Sequence, residues 1–261
     1  MTFYSLRLTA LLYFSFLITQ CEAKPVDVQQ TVIINDANWP PFFFAGSRDK
    51  PYGFAKELLI SCESEVGSQF TFLHFPIERM HVYMRSGQID SNVYSYKKDR
   101  EADLIYGKEV LFTTQYKAVT RKESGLTITQ LQDIDGLRIG HLAGLKYTEE
   151  FRNKLKQVEK KGKLVTVRKS EDLLTLLTKK RIDVFIEAKE TVNWHSIEQG
   201  IDQQLAYSEF TLSTNKYYFT VAKNSKRVVE PDVFIDNLDL CLIKLKASSE
   251  YDRLKLNYGL N

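Results

Sequence analysis

Two short extended segments decide the predicted fold: Tyr-Lys-Ala-Val-Thr at residues 116–120 and Tyr-Tyr-Phe-Thr-Val-Ala at residues 217–222. Each lies where one run of alternating strands and helices gives way to another. The chain therefore crosses between two lobes twice, and the amphipathic tail after residue 222 must pack on a lobe that already exists. A body of two lobes joined by paired crossing strands has a cleft between the lobes and can close about it.

Strand and helix patterns alternate on both sides of the first extended segment. The predicted elements before it are strands over 31–35, 70–75 and 89–93, with helices over 54–66 and 77–86. Those after it are strands over 137–140, 164–167 and 182–186, with a helix over 147–158 and another that begins at Ser170. This order predicts an α/β fold of two lobes, each a mostly parallel sheet flanked by helices. Lobe 1 comprises residues 24–117 and 221–261, and lobe 2 comprises residues 118–220.

The composition is that of a globular protein and excludes several classes. Of the 261 residues, 43% are hydrophobic, and 36 Lys and Arg stand against 33 Asp and Glu. A chain of this kind is neither disordered nor collagen-like, and its charge pattern has no nucleic-acid footprint. Walker, Gly-x-Ser-x-Gly and Gly-x-Gly-x-x-Gly motifs are absent from the sequence. The four histidines lack the spacing of metal ligands, so we expect no metal site. Because the catalytic and cofactor-binding motifs are absent, we also expect no cofactor and no catalytic residues.

The first 23 residues have the layout of a secretory signal peptide. Arg7 precedes an uncharged run over residues 8–19, and Ala23 is a small residue before the predicted cleavage site. Removal of residues 1–23 leaves 238 residues with the net charge still at +3. We expect a periplasmic location. An uncleaved anchor and a lipoprotein acylated at Cys21 remain as alternatives.

Two cysteines remain after signal removal, Cys62 and Cys241. In an oxidising compartment they could form one disulfide. They lie on separate predicted helices, and the sequence does not show whether their Cα atoms approach within the roughly 7 Å that a bridge needs. The sequence is therefore compatible with a disulfide between Cys62 and Cys241 and also with two buried thiols.

The turn after the first strand is unusually aromatic, with Asn-Trp-Pro-Pro-Phe-Phe-Phe at residues 38–44. Ligands bind at the carboxyl ends of strands in open α/β sheets, so a rigid apolar wall here is suited to stacking on a ligand. Trp39 is favoured as the ligand-facing ring. The phenylalanines, Phe42 among them, could equally fill the core.

Several short motifs, taken in order, resemble extracellular solute-binding protein family 3, the periplasmic polar amino-acid binding components of ABC importers. The resemblance covers residues 30–260 and implies a type II periplasmic binding fold with two hinge strands. The motifs are Trp39-Pro-Pro-Phe, Gly53-Phe54 with Glu57-Leu58-Leu59, Pro76-Ile-Glu-Arg79, Gly87-Gln-Ile-Asp90, Arg100, Leu137-Arg-Ile-Gly140 with Gly144-x-x-Tyr147, and Arg181-Ile-Asp183.

The resemblance also implies a ligand site. Arg100 matches the arginine that binds the ligand carboxylate, which agrees with the bidentate geometry of a guanidinium; a surface pair with Asp99 or Glu101 is the alternative. Arg79 and Lys146 would add positive charge around the cleft. The remaining residues of the implied ligand site are Trp39, Phe42, Ile77, Tyr94, Ser95, Tyr96, Gly144, Tyr147 and Glu187.

One departure concerns the ligand amine. The family places an acidic residue five positions after the Asp of the Arg-Ile-Asp motif, and this chain has Ala188 there. Glu187 is adjacent, but neighbouring side chains on a strand point to opposite faces. Glu187 can therefore substitute only if the strand has ended or bulges at this point.

The expected function is that of a monomeric periplasmic binding protein that captures a carboxylate-bearing, amino-acid-like ligand for an ABC permease. No nucleic-acid partner is expected. One alternative is a dehydratase-like enzyme on the same fold, with Glu187, His141 or Glu78 as general acid. Another is a ligand sensor that acts on a separate membrane partner.

Overall fold

The computed structural model describes residues 30–46, 52–145 and 147–260, apart from the side chains of residues 77 and 78. The predicted signal peptide over residues 1–23 and its alternatives lie outside these ranges. Within the described part of the chain, no helix is both long and apolar enough to cross a bilayer. The described residues form eight strands and eight α-helices.

The strands form one curled sheet in the order β2-β1-β3-β8-β4-β7-β5-β6. The outer strands on each side are parallel, whereas β3-β8, β8-β4 and β4-β7 are antiparallel. The strands are β1 (Gln30–Asn35), β2 (Ser68–Leu73), β3 (Ser91–Ser95), β4 (Leu104–Arg121), β5 (Ile139–Leu142), β6 (Leu164–Val167), β7 (Val184–Ala188) and β8 (Leu205–Ala222).

The helices pack on the two halves of this sheet. Four short 3-10 helices, at Lys98–Ala102, Lys122–Ser124, Leu131–Ile134 and Asp202–Gln204, complete the connections. The α-helices are α1 (Phe54–Ile60), α2 (Glu63–Val66), α3 (Ile77–Ser86), α4 (Glu149–Lys160), α5 (Ser170–Thr178), α6 (Lys189–Glu198), α7 (Pro231–Lys246) and α8 (Ser249–Asn257).

The long strands β4 and β8 cross between the two halves as a two-stranded ribbon. On β8, residues 217–221 pair with β3, and on β4, residues 116–120 pair with β7. Between these regions, residues 113–115 pair with residues 214–216 and, within the described part of the chain, with no other strand. The crossing point is therefore this ribbon, which consists of residues 113–115 and 214–216.

The strand pairing places the two predicted crossing segments in the sheet. Residues 116–120 pair with β7 in the second half and residues 217–221 pair with β3 in the first half, so the ribbon lies between these two segments. The ribbon itself carries no apolar pattern because much of it is exposed to solvent. Thr113, Gln115 and Lys216 face solvent and are polar, so the apolar patterns mark where each strand enters a lobe.

The C-terminal helices pack on the first half. Phe234, Leu238 and Leu242 of α7 are buried in one cluster with Val32 and Ile34 of β1. Cys62 and Cys241, whose state the sequence left open, form a disulfide in which the two Cα atoms are 5.8 Å apart. That distance lies within the usual range for a bridge. The disulfide thus links the start of α2 to α7 within the first half.

Candidate functional site

A cavity of about 260 Å³ lies beside the ribbon, between the two halves of the molecule. Lys97, in the loop after β3, contributes from the first half. The β5-α4 loop contributes from the second half, and the long strands form the floor. The described residues that line it are Lys97, Tyr116, Leu145, Tyr147, Thr148, Ser213 and Asn215.

The floor of the cavity is a row of residues across three strands. Ser213 of β8 pairs with Tyr116 of β4, which in turn pairs with Ala188 of β7. Residues that pair directly across a sheet present their side chains on the same face. Burial raises the pKa of the Tyr116 phenol well above its usual value, so the ring remains a neutral hydrogen-bonding group; its oxygen lies 3.5 Å from that of Tyr217.

The wall from the second half is the loop that leads into α4. Thr148 is the N-cap residue, and its hydroxyl accepts a hydrogen bond from the Phe151 N–H at 3.4 Å. The Tyr147 hydroxyl donates to the Ile186 carbonyl at 3.0 Å, and burial raises the pKa of this phenol well above its usual value. Gly144 allows the turn, with φ at +84°. The predicted contact Lys146 lies outside the described residues.

Trp39 lies half-buried over the first-half ends of the long strands. Its ring makes edge-to-face contacts with Phe112 at 5.3 Å and Tyr217 at 4.8 Å between centroids. Phe42, by contrast, has no exposed surface and stacks on Phe112 at 3.9 Å. The structure therefore places Phe42 in the core, which is one of the two roles that the sequence left open for the phenylalanines. Its ring supports Trp39 from the core side.

Arg100 is positioned by the loop that follows β3. Its Nη1 donates to the Ser95 carbonyl at 3.0 Å, and its guanidinium lies 4.4 Å from the centroid of the Tyr94 ring. Tyr94 is itself buried, with its hydroxyl 2.8 Å from Nδ1 of His81. Within the described part of the chain, no carboxylate lies within 4.0 Å of Arg100. Arg100 therefore forms no ion pair with Asp99 or Glu101, both of which the structure describes.

The other predicted residues from the first half have separate roles. Tyr96 is half exposed and donates from its hydroxyl to Glu101 Oε1 at 2.7 Å. Arg79 is exposed in the first turn of α3. The side chain of Ile77 lies outside the described part of the structure. Neither Tyr96 nor Arg79 is among the described residues that line the cavity.

Glu187 is not a cleft residue. Strand β7 continues through Ala188, so the bulge or strand end that would turn Glu187 towards the ligand does not occur. The carboxyl is 2% exposed; Oε2 accepts from the Ser170 hydroxyl at 3.2 Å and Oε1 from the Ala188 N–H at 2.9 Å. Burial raises the pKa of this carboxyl to about 7. The structure therefore places the Glu187 side chain in the interior, because strand β7 ends later than the sequence pattern indicated.

The comparison with known families gives the identity of the fold. The family model described as bacterial extracellular solute-binding proteins, family 3, matches residues 31–261. This chain belongs to that family. The predicted resemblance is confirmed.

Known relatives of this family 3 protein are distant but cover its whole length. The histidine-binding periplasmic protein of Escherichia coli strain K12 is 20% identical over 255 residues, which span 97% of this chain and 95% of that protein. A substrate-binding protein of an ABC uptake transporter from Streptococcus pneumoniae, solved with bound histidine, matches with a TM-score of 0.71 and 18% identity over 89% of this chain and 93% of that one.

A second similar structure is a histidine kinase sensor domain with similarity to periplasmic binding proteins. It matches with a TM-score of 0.69 and 18% identity over 88% of this chain and 96% of that domain. At such identities the likenesses show the fold alone. The type II periplasmic binding fold predicted from the sequence is confirmed.

Two of the candidate general acids of the family 3 protein, His141 and Glu187, are described by the structure and make no hydrogen bond to each other. His141 is half-buried, burial lowers its pKa, and its Nδ1 has no hydrogen-bond partner among the described residues. Glu187 is held by its own chain, as described above. The side chain of Glu78 lies outside the described ranges. The described residues also contain no cluster of metal-ligating groups.

Several cavity residues were not predicted from the sequence. Lys97 directly follows the predicted contacts 94–96, and Tyr116 opens the first predicted crossing, so both lay next to flagged positions. Ser213 and Asn215 carry no comparable signal, since their place on the cavity floor depends on the register between β4 and β8.

Proposed function

We propose that this family 3 protein captures a small, carboxylate-bearing ligand of amino-acid size between its two lobes. The observation that carries the proposal is the cavity of about 260 Å³ that residues of both halves line beside the ribbon. Pockets that bind small molecules lie preferentially at such domain interfaces. A ligand there contacts both halves at once.

Arg100 is the proposed carboxylate contact. The Ser95 carbonyl and the Tyr94 ring hold its guanidinium in place while one N–H group is used by the chain. A guanidinium that is already oriented loses little freedom when it binds a carboxylate through two parallel hydrogen bonds. Trp39 is the proposed stacking wall, and the loop from Gly144 to Tyr147 is the proposed contact from the second lobe. Arg79 and Lys146 are proposed sources of additional positive charge.

Ligand capture is proposed to be coupled to closure about the ribbon. Six residues, 113–115 and 214–216, connect the halves through one ladder of hydrogen bonds. Small changes in backbone angles there can rotate one lobe against the other. A ligand that contacts both lobes favours the closed arrangement by its differential affinity for it.

We propose a periplasmic location, a monomeric state and delivery of the ligand to an ABC permease, without enzymatic turnover. Similar proteins support the location and the transport role, because they include a histidine-binding periplasmic protein and a substrate-binding protein of an ABC uptake transporter. A sensor domain has the same fold. Co-purification with a permease would support the transport role, and co-purification with a kinase would support the sensor role.

The test of the site is calorimetric binding to Arg100→Ala after a thermal-shift screen has found a ligand. Loss of two charge-assisted hydrogen bonds should weaken binding at least 30-fold, or about 2 kcal/mol. Arg152→Ala, an exposed arginine on α4, is the matched control and should bind as the original chain does. Equal affinity of Arg100→Ala and Arg152→Ala would overturn the assignment.

A further inference from the structure

We propose that Trp194 is an interlobe latch, a side chain of the second lobe that packs on two aromatic rings of the first lobe and stabilises the closed arrangement without a ligand. The two rings are those of Phe44 and Tyr258, and we call them the socket. All three residues are outside the described lining of the cavity. The latch therefore acts on closure separately from the proposed ligand contacts.

Trp194 belongs to the second lobe through its helix but packs on the first lobe. In helix α6, Val192 is buried in a cluster with Leu173 and Leu205 of the second lobe. Trp194, two residues later, packs against the core cluster of the first lobe. Residues two apart on an α-helix lie about 200° apart around its axis. Opposite sides of α6 thus contact the cores of different lobes.

The three rings of the latch and the socket form one cluster. The Trp194 ring meets the Phe44 ring edge to face, with 5.3 Å between centroids and 67° between planes. Its centroid lies 6.1 Å from that of Tyr258, and the Phe44 and Tyr258 centroids are 6.3 Å apart. Aromatic rings about 4.5–7 Å apart attract each other beyond the effect of burial alone. The contact therefore stabilises the lobe arrangement in which it forms.

The socket is held in place by contacts within the first lobe. The Tyr258 hydroxyl accepts from the Gly53 N–H at 3.0 Å and donates to the Glu57 carboxylate. The Phe44 N–H donates to the Tyr52 carbonyl at 3.0 Å. These hydrogen bonds do not involve the second lobe, so the socket keeps its shape when the lobes separate.

A buried ion pair adds a second constraint on the turn that carries Phe44. Nζ of Lys56 lies 3.0 Å from Oδ2 of Asp36, and the two side chains are only 5% and 2% exposed. The Gly46 N–H donates to the same oxygen at 2.9 Å. Asp36 at the start of the turn is thus tied to Gly46 at its end, which fixes the position of Phe44 between them.

The latch lies on the side of the ribbon that faces the cavity. Phe112 and Tyr116 are four residues apart on a regular part of β4, so their side chains share a face. Tyr116 lines the cavity, and Trp39, from the same turn as Phe44, packs on Phe112 at 5.3 Å. Separation of the lobes on this side moves Trp194 away from Phe44. The contact consequently favours the closed arrangement.

The consequence is a closed population in the ligand-free protein. The apparent affinity for a ligand that needs both lobes falls in proportion to the fraction of closed protein. A favourable contact that needs no ligand raises this fraction. Loss of the contacts of one ring to two others should increase the ratio of open to closed molecules about ten-fold.

The test measures the distance between the lobes in the purified, ligand-free protein. Spin labels on Val82→Cys and Lys156→Cys, at exposed positions of α3 and α4, report this distance by double electron–electron resonance. The original chain should populate a short distance. Trp194→Ala should raise the ratio of long to short distances about ten-fold, and Trp194→Phe, which keeps a ring, should restore most of the short distance. Ile197→Ala, at an exposed residue of the same helix, is the matched control and should leave the ratio unchanged.

Equal distance distributions for Trp194→Ala and Ile197→Ala would overturn the inference, and so would a single long distance in the original chain. If Trp194→Ala does not fold, Phe44→Ala removes the other side of the contact and decides the question by the same ratio. Since this measurement uses no ligand, a negative result leaves the proposed ligand capture standing. Equal ligand binding by Arg100→Ala and its control would in turn leave the latch standing.

Discussion

Replacement of Glu187 by glutamine should change how the stability of the protein depends on pH. The carboxyl is fully buried, and burial raises its pKa from the usual 4.5 to about 7. Between these values the folded protein holds a proton that the unfolded chain has released. Unfolding therefore releases a proton, and a rise in pH favours the unfolded state.

The magnitude follows from the two pKa values. Their difference corresponds to about 3 kcal/mol at 25 °C, a destabilisation that is absent below pH 4.5, grows from there to pH 7 and is complete above it. Glu187→Gln removes the ionisation and keeps an oxygen that can accept from the Ala188 N–H. The variant should equal the original chain in stability near pH 4.5 and exceed it by about 3 kcal/mol at pH 8.

The assay is urea unfolding followed by tryptophan fluorescence at a series of pH values, with the free energy of unfolding compared between the two proteins. Other groups titrate in both chains and cancel in the difference. Glu209→Gln, at an exposed glutamate of β8, is the matched control for the exchange of a carboxylate for an amide. A difference for Glu187→Gln that does not vary between pH 4.5 and pH 8 would refute the reasoning.

Two further predictions concern the scaffold. The disulfide joins residues that are 179 apart in sequence, so the double variant Cys62→Ser/Cys241→Ser should be about 5 kcal/mol less stable, because its unfolded state gains conformational entropy. Denaturant midpoints of the original chain and the variant, with and without reductant, check this, and an unchanged midpoint contradicts it. Gly87→Ala should cost more than about 2 kcal/mol, because φ is +69° and the added Cβ would lie within van der Waals overlap of the Asn224 carbonyl. Gly162→Ala, with φ at +67° and open space around the added Cβ, should cost about 1 kcal/mol, and equal losses in thermal unfolding would show that the clash is unimportant.

Much of the fold could be predicted because the buried apolar residues of strands and helices recur at regular intervals in the sequence. The alternation of strands and helices follows from apolar patterns that each element needs in order to pack. Its limits are physical as well. The ribbon is exposed and polar, so the apolar signal at residues 116–120 and 217–222 marks the flanks of the crossing. The disulfide stayed undecided because it depends on a distance between two helices that only the tertiary structure sets.

The site was less predictable for a related reason. An aromatic side chain has the same pattern in sequence whether it faces a ligand or the core, so the role of Phe42 stayed open. The fate of Glu187 depended on where β7 ends, and a shift of two residues moved it from the cleft to the interior. Ser213 and Asn215 reach the cavity through strand register, which sequence patterns do not specify.

The ribbon also makes the second lobe a removable unit. All of it lies between two strand segments that leave the first lobe side by side, and paired antiparallel residues stand about 5 Å apart. One continuous segment of a relative could be grafted there in its place without cutting the first lobe or its disulfide. Such a chimera would keep Trp39, Lys97 and Arg100 and exchange the loop at residues 144–148, so the two walls of the cleft can diverge independently in evolution.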